Sequence, residues 1–238
     1  VNEEKRHPAD FALWKKAPKE HIMQWKSPWG MGYPGWHIEC SAMAMKYLGE
    51  QFDIHTGGVD HIPIHHENEI AQSEALTGRQ PVMLWAHGEF LLVDGGKMSK
   101  SLGNTYTLAD LADRGIEPLA FRYFCLNAHY RSKLNFTWDA IKAAQTAFRR
   151  LAEGVLAHRG GPGRVRKDEL ESFVASFRDA VNDDLNIPSA LAVVWSVVRN
   201  EKKSPDFYNL LLNFDRVLGF DMEALANRAQ ERQRGEGE

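Results

Sequence analysis

Apolar residues in the second half of the chain recur every three to four positions, the spacing of one helical face. Glu117 to Ala128, Thr137 to His158, Lys167 to Asn182, Pro188 to Glu201 and Pro205 to Leu218 each carry such a stripe, and each predicts a helix. Their starts agree with the pattern: Thr137 is a side-chain cap, and Ser204 precedes a proline at the first helical position. Just upstream, Thr107-Leu108-Ala109-Asp110 spells a capping box that opens a short helix. The first half has another rhythm. Pro34 to Leu48 reads as a helix stopped at Gly49, Phe52 to His55 as a short buried strand, Thr56-Gly57-Gly58 as a glycine turn, His65 to Leu76 as a helix ending at Gly78, and Met83 to Val93 as one or two strands. Helix, strand, helix and strand in that order predict an α/β sheet with crossovers, followed by an all-α region.

Gly160-Gly161-Pro162-Gly163 interrupts the helical half and reads as a linker. From Asn227 to Glu238 the residues are Arg, Gln, Glu and Gly without an apolar face, which predicts fraying. The resulting layout is an α/β part over 1–105, a helical junction over 106–145, a helical bundle over 146–222 and a flexible tail over 223–238. No internal repeat is visible.

Composition changes this picture little. Of 238 residues, 43% are hydrophobic and 26% charged, which excludes a disordered, collagenous or coiled-coil chain. No apolar run is long enough to span a bilayer. The formal net charge of -3 argues against electrostatic nucleic-acid binding by the chain as a whole and leaves room for a local basic face. Two distant cysteines, Cys40 and Cys125, make no disulfide framework, and no signal segment opens the chain, so a cytoplasmic location is expected. The chain opens on Val1 with a polar, aperiodic stretch to Asp10, which reads as part of something longer.

Two constellations carry chemistry. Four of the ten histidines, His55, His61, His65 and His66, fall within one short stretch. On a helix His65 and Glu69 project from one face, and Cys40 can add a thiolate from the preceding helix. Thiolate, imidazole and carboxylate together favour zinc over magnesium or calcium. The same residues also fit a polar pocket with Cys40 as a small core residue, and spacing alone leaves both readings open. The second constellation is Gly95-Gly96-Lys97-Met98-Ser99-Lys100-Ser101-Leu102-Gly103-Asn104, a glycine-flanked loop with two ammonium groups and two hydroxyls suited to polyphosphate. It lacks the spacing of a Walker loop.

Lys97-Met98-Ser99-Lys100-Ser101 matches the KMSKS signature of class I aminoacyl-tRNA synthetases. Over nearly its whole length the chain resembles the cysteinyl-tRNA synthetase family, in Asp10-Phe11-Ala12-Leu13-Trp14-Lys15, Ser27-Pro28-Trp29-Gly30, Gly35 to Met43, His65 to Glu74, Tyr130 to Phe136 and Asp183 to Leu191. The resemblance implies the second half of a Rossmann-like class I catalytic domain plus a helical-bundle domain. It implies zinc on Cys40, His65 and Glu69; ATP with Mg2+ at Lys97, Met98, Ser99, Lys100 and Ser101, of which Lys97 and Lys100 act in catalysis; and an amino acid pocket at Trp36, His55 and Asp60. Trp29 and Trp85 are expected to pack. The implied activity is ATP-dependent attachment of cysteine to tRNA(Cys), with no membrane partner.

Two departures qualify the resemblance. The family more often has Gly at position 56 and Leu-x-Phe-Pro before the paired histidines, where this chain has Thr56 and His61-Ile62-Pro63-Ile64. No His-Ile-Gly-His-like signature occurs, and no cysteine precedes Cys40 to serve as a fourth ligand. The expectation is a C-terminal portion, inactive alone, whose partner is a missing N-terminal half. A mycothiol-pathway cysteine ligase and a non-catalytic zinc- or tRNA-binding relic are the alternative readings.

Overall fold

The computed structural model describes residues 5–235, and the chain divides into two compact units after Gly88. In the first unit, β1 (Trp14–Lys16), β2 (Trp25–Ser27) and β3 (Gly30–Pro34) form an antiparallel sheet with β3 in the centre. Helix α1 (Trp36–Leu48) follows, then β4 (Phe52–Gly58), α2 (Glu67–Thr77) and β5 (Val82–Gly88). Strands β4 and β5 pair in parallel, so the chain between them is a crossover connection. The expected helix over Pro34–Leu48 therefore starts later, because Pro34 belongs to β3. The expected glycine turn at Thr56-Gly57-Gly58 is the end of β4, where Gly57 and Gly58 pair with His87 and Gly88. Gly78 stops α2 in the left-handed region at φ 68°, and its N–H returns to the Glu74 carbonyl, as the sequence predicts.

Before α2 lie a 3-10 turn, Val59–His61, and one π-helical turn, Ile62–His66. A regular helix from His65 is thus replaced by a π turn entering an α-helix. Pro63, with no N–H to give, sits in its first positions.

In the second unit β6 (Leu91–Val93) pairs antiparallel with β7 (Gly96–Lys97) and parallel with β8 (Leu134–Phe136). Helices α3 (Leu108–Asp113), α4 (Pro118–Leu126), α5 (Trp138–Arg159), α6 (Lys167–Asn182), α7 (Ile187–Val198), α8 (Pro205–Leu218) and α9 (Met222–Gly235) complete it. The lysine loop, read from sequence as part of the α/β portion over 1–105, lies in this second compact unit, because β6 and β7, which precede and open it, pair with each other and β6 pairs with β8. The caps read from sequence are in place: Thr107 and Asp110 form a capping box, Thr137 accepts from Ala140 N–H, and Ser204 accepts from Asp206 N–H. The glycine-proline linker joins α5 to α6, but Gly163 donates to the Lys203 carbonyl, so this linker is docked.

Helix α5 buries Ile141, Ala144, Phe148, Leu151, Ala152 and Val155 along one stripe, against buried side chains of α7, α8 and α9. The tail expected over 223–238 is helical as far as Gly235, and Met222, Leu225, Ala226 and Ala229 of α9 are buried. Asp215 holds its start by accepting from the N–H groups of Phe220 and Met222. Residues 236–238 of that tail, and 1–4 at the other end, lie outside the described residues.

His158 is fully buried in this core. Its Nε2 faces the Val197 carbonyl at 2.9 Å, and its Nδ1 accepts from Ser204 N–H at 3.3 Å. The neutral tautomer with its proton on Nε2 satisfies both contacts, whereas a second proton on Nδ1 would face a donor. Burial pushes its pKa below the ordinary 6.5, and the Lys203 ammonium pushes the same way. The unfolded chain then takes up a proton that the folded one refuses. Stability is full above about pH 6.5 and falls as pH drops below it. The midpoint of denaturant unfolding of this unit is expected to drop between about pH 7.5 and about pH 5.5, and His158→Leu to flatten that dependence. Equal pH dependence in the two proteins would show that another group controls it.

Candidate active site

The site in the first unit is built on the β4–β5 register. His55 pairs with Trp85 and Gly57 with His87, and alternation puts these four residues on one face of the strand pair. The π turn and α2 bring His65, His66 and Glu69 to the same place. All three are buried, whereas Cys40, on α1, is half-buried. Ser41 Oγ donates to Gln72 Oε1 at 2.8 Å and ties α1 to α2.

Glu69 is the centre of the cluster. Its Oε1 lies 2.7 Å from His65 Nε2, and its Oε2 lies 3.0 Å from His55 Nε2. Oε1 and His55 Nε2 are buried without a hydrogen-bond partner, so these approaches lack hydrogen-bond angles. Donor atoms that crowd together in this way, unsatisfied by one another, suit a cation between them. Cys40, His65 and Glu69 offer ligand atoms all within 4.8 Å of one another. Burial, then the Glu69 and Glu39 carboxylates, push the Cys40 thiol up. A divalent cation reverses that balance by favouring the thiolate. The donor set of thiol, imidazole and carboxylate therefore fits zinc.

Outer histidines orient the inner ones. His37 Nδ1 lies 2.9 Å from His65 Nδ1, and His87 Nε2 lies 2.7 Å from His66 Nδ1, which leaves Nε2 of both inner rings free of these contacts. Burial, then His55, His87, His61 and His65, lower the His66 pKa to about 4, so that ring is neutral at neutral pH. Burial, then His65, lowers His37 against the opposing Glu69 carboxylate, and burial, then His55 and His61, lowers His87.

Of the residues expected around the amino acid, the structure brings His55 to Glu69 and lays the exposed Trp36 ring over His65, 4.8 Å between centroids. Asp60, itself exposed, stands in the 3-10 turn with its carboxylate against Gly58. Trp85 packs against His55 and His66 as expected, but Trp29 is 77% exposed and packs on nothing comparable. His37 and His87 carry no role in the sequence reading. The signal for His87 is its i, i+2 relation to Trp85 on a strand.

The lysine loop lies in the second unit. Met98 packs against the hydrophobic core, while Lys97 and Lys100 are exposed. Asn104 latches the loop: its Oδ1 accepts from Ser99 N–H at 2.8 Å and its Nδ2 donates to the Lys97 carbonyl at 3.0 Å. Ser99 caps the turn Lys100–Leu102, and Gly103 ends it in the left-handed region at φ 64°. An anchored loop that leaves two ammonium groups in solvent is suited to an anionic ligand. No local pattern in the sequence marks Asn104 as this latch.

A family model described as "tRNA synthetases class I (C) catalytic domain" matches residues 1–146. Cysteine--tRNA ligase 1 of Burkholderia lata is 52% identical over 221 residues, covering 92% of this chain and 46% of that protein. Cysteine--tRNA ligase of Thermus thermophilus is 45% identical over 218 residues, covering 89% and 44%, and that of Protochlamydia amoebophila is 43% identical over 264 residues, covering 97% and 54%. The chain thus spans about half the length of the curated relatives it matches. A chain of the ternary complex of Agrobacterium radiobacter K84 LeuRS, tRNA and LeuAMS superposes with a TM-score of 0.60 at 15% identity, over 87% of this chain and 34% of that one, which shows a shared fold. Among the described residues no helix is long and apolar enough to cross a membrane. By the match over its first 146 residues, this chain belongs to the class I (C) tRNA synthetase catalytic-domain family.

Proposed function

We propose that this chain is the cysteine-selecting and KMSKS-bearing portion of a cytoplasmic cysteine–tRNA ligase, acting on cysteine, ATP with Mg2+ and tRNA(Cys). The observation that carries this reading is the convergence of half-buried Cys40 with buried His65 and Glu69 on one point in a chain of this family. These three residues would hold zinc. Bound there, zinc supplies a soft acid that prefers the sulfur of cysteine to the hydroxyl of serine. His37 orients the His65 ring, and Trp36 and His55 flank the pocket in which the amino acid is read, with Asp60 at its edge.

The chemistry needs no enzyme nucleophile. A carboxylate oxygen of cysteine attacks the α-phosphorus of ATP, and pyrophosphate leaves with the electrons of the broken P–O bond. The terminal ribose hydroxyl of tRNA then attacks the acyl carbon, AMP leaves, and the hydroxyl proton passes to solvent. Lys97 and Lys100 neutralise charge that builds on the phosphates during the first step, and the Asn104 latch holds their backbone in place. Relatives named as tRNA ligases support a tRNA partner for the helical unit.

Co-expressed with the portion of the Burkholderia lata ligase that it does not match, the chain is expected to support cysteine-dependent ATP–pyrophosphate exchange. Lys100→Ala is expected to slow that exchange about 10²–10³-fold while cysteine affinity changes little. Equal losses in rate and affinity would remove Lys100 from its role. Exchange by the 238 residues alone would show that they already carry a whole active site, and zinc bound as tightly to Cys40→Ser would refute the metal assignment.

A further inference from the structure

Glu69 divides its two oxygens between two clusters. Oε1 faces His65 on the Cys40 side, and Oε2 faces His55, whose Nε2 is buried and unpartnered. His55, His66 and Glu69 likewise offer three ligand atoms within 4.8 Å of one another, with no sulfur among them. The clusters are built alike. In each, an outer histidine holds the Nδ1 of an inner one: His37 holds His65, and His87 holds His66. That is the arrangement by which proteins fix the tautomer and aim of a metal-binding imidazole. Space for the His66 ring is kept by Gly57, since a Cβ there would stand 2.6 Å from His66 Cε1 and 2.9 Å from its Nε2. The Cys40 position accounts for His65 and Oε1. It takes none of His55 Nε2, His66 Nε2 and Oε2 as a ligand.

We propose that His55, His66 and Glu69 form a second divalent-metal position, adjoining the first and bridged to it by the Glu69 carboxylate. Two imidazoles and a carboxylate suit zinc or cobalt(II) and leave coordination positions open to water or a small oxygen or nitrogen ligand. The proposal shares Glu69 with the zinc reading above and rests on it for that bridge alone.

Cobalt separates the two positions, because only the Cys40 one gives a sulfur-to-metal charge-transfer band. The chain, stripped by a chelator and titrated with Co2+, is expected to take up about two equivalents, the sulfur band being complete after about one. Cys40→Ser should lose the band and keep about one equivalent. His55→Ala should keep the band and lose about one equivalent, with the far-ultraviolet circular dichroism of both variants unchanged. Saturation of the unaltered chain at one equivalent, or full uptake by His55→Ala, overturns the second position. If a variant misfolds, X-ray absorption of the unaltered zinc-saturated chain decides: about half a sulfur per zinc supports two positions, and a whole one overturns the proposal. A wild-type titration without any sulfur band counts against the Cys40 assignment instead, and His55→Ala still tests the second position.

Discussion

Glu69→Ala is expected to strip the chain of tightly bound zinc. The carboxylate is 4% exposed and lies within 3.0 Å of both His55 and His65, so its loss removes a ligand and the charge that offsets a dication. A loss of on the order of a hundredfold in affinity or more, about 3 kcal/mol, is expected in competition with a chromophoric chelator. Glu69→Gln should lose nearly as much, because it keeps the shape and gives up the charge. Retention of zinc by the glutamine variant with loss by the alanine one would mean that packing around Glu69, and not its charge, sustains the site.

Phe148→Ala is expected to cost the helical unit about 3–5 kcal/mol. The ring is fully buried on α5, with centroids 5.8 Å from Tyr123 and 5.5 Å from Phe220, and these neighbours come from separate segments that cannot all collapse into the void. Denaturant unfolding read on this unit checks the figure, and zinc binding should be untouched. A cost below about 1 kcal/mol would show that α4 and the turn before α9 move in to fill the space.

Much of the helical half was legible in the chain because its signals are local. Thr107, Thr137 and Ser204 cap helices wherever the rest of the protein goes, and the stripe of α5 needs only its own sequence. Helix α9 was not, since Ala226 and Ala229 look featureless until α5 lies against them, and small residues are what so close an approach admits. The division into compact units after Gly88 is hidden for a similar reason: the pairing of Leu91 with Leu134 is a contact between distant segments. In the site, Cys40, His65 and Glu69 could be grouped from spacing even though a π turn replaces the assumed helix, because the i, i+4 pair still meets across it. His37 and His87 depend on how α1 and β5 are placed, which no local pattern records.

The two units differ in what they bury, and calorimetry would register it. Nearly all the buried hydrophobic side chains belong to the helical unit, whereas in the first unit Val82 and its neighbour Pro81 are the only buried apolar ones among the described residues, beside Ser41, His65, His66, Glu69 and Ser73. Heat capacity rises on unfolding with apolar area exposed and falls with polar area. Melting of the helical unit should therefore carry most of the increment and a strongly curved stability profile, weakening in the cold as well as in the heat. The first unit should give a nearly flat profile, its resistance to temperature set by what its histidines and Glu69 hold.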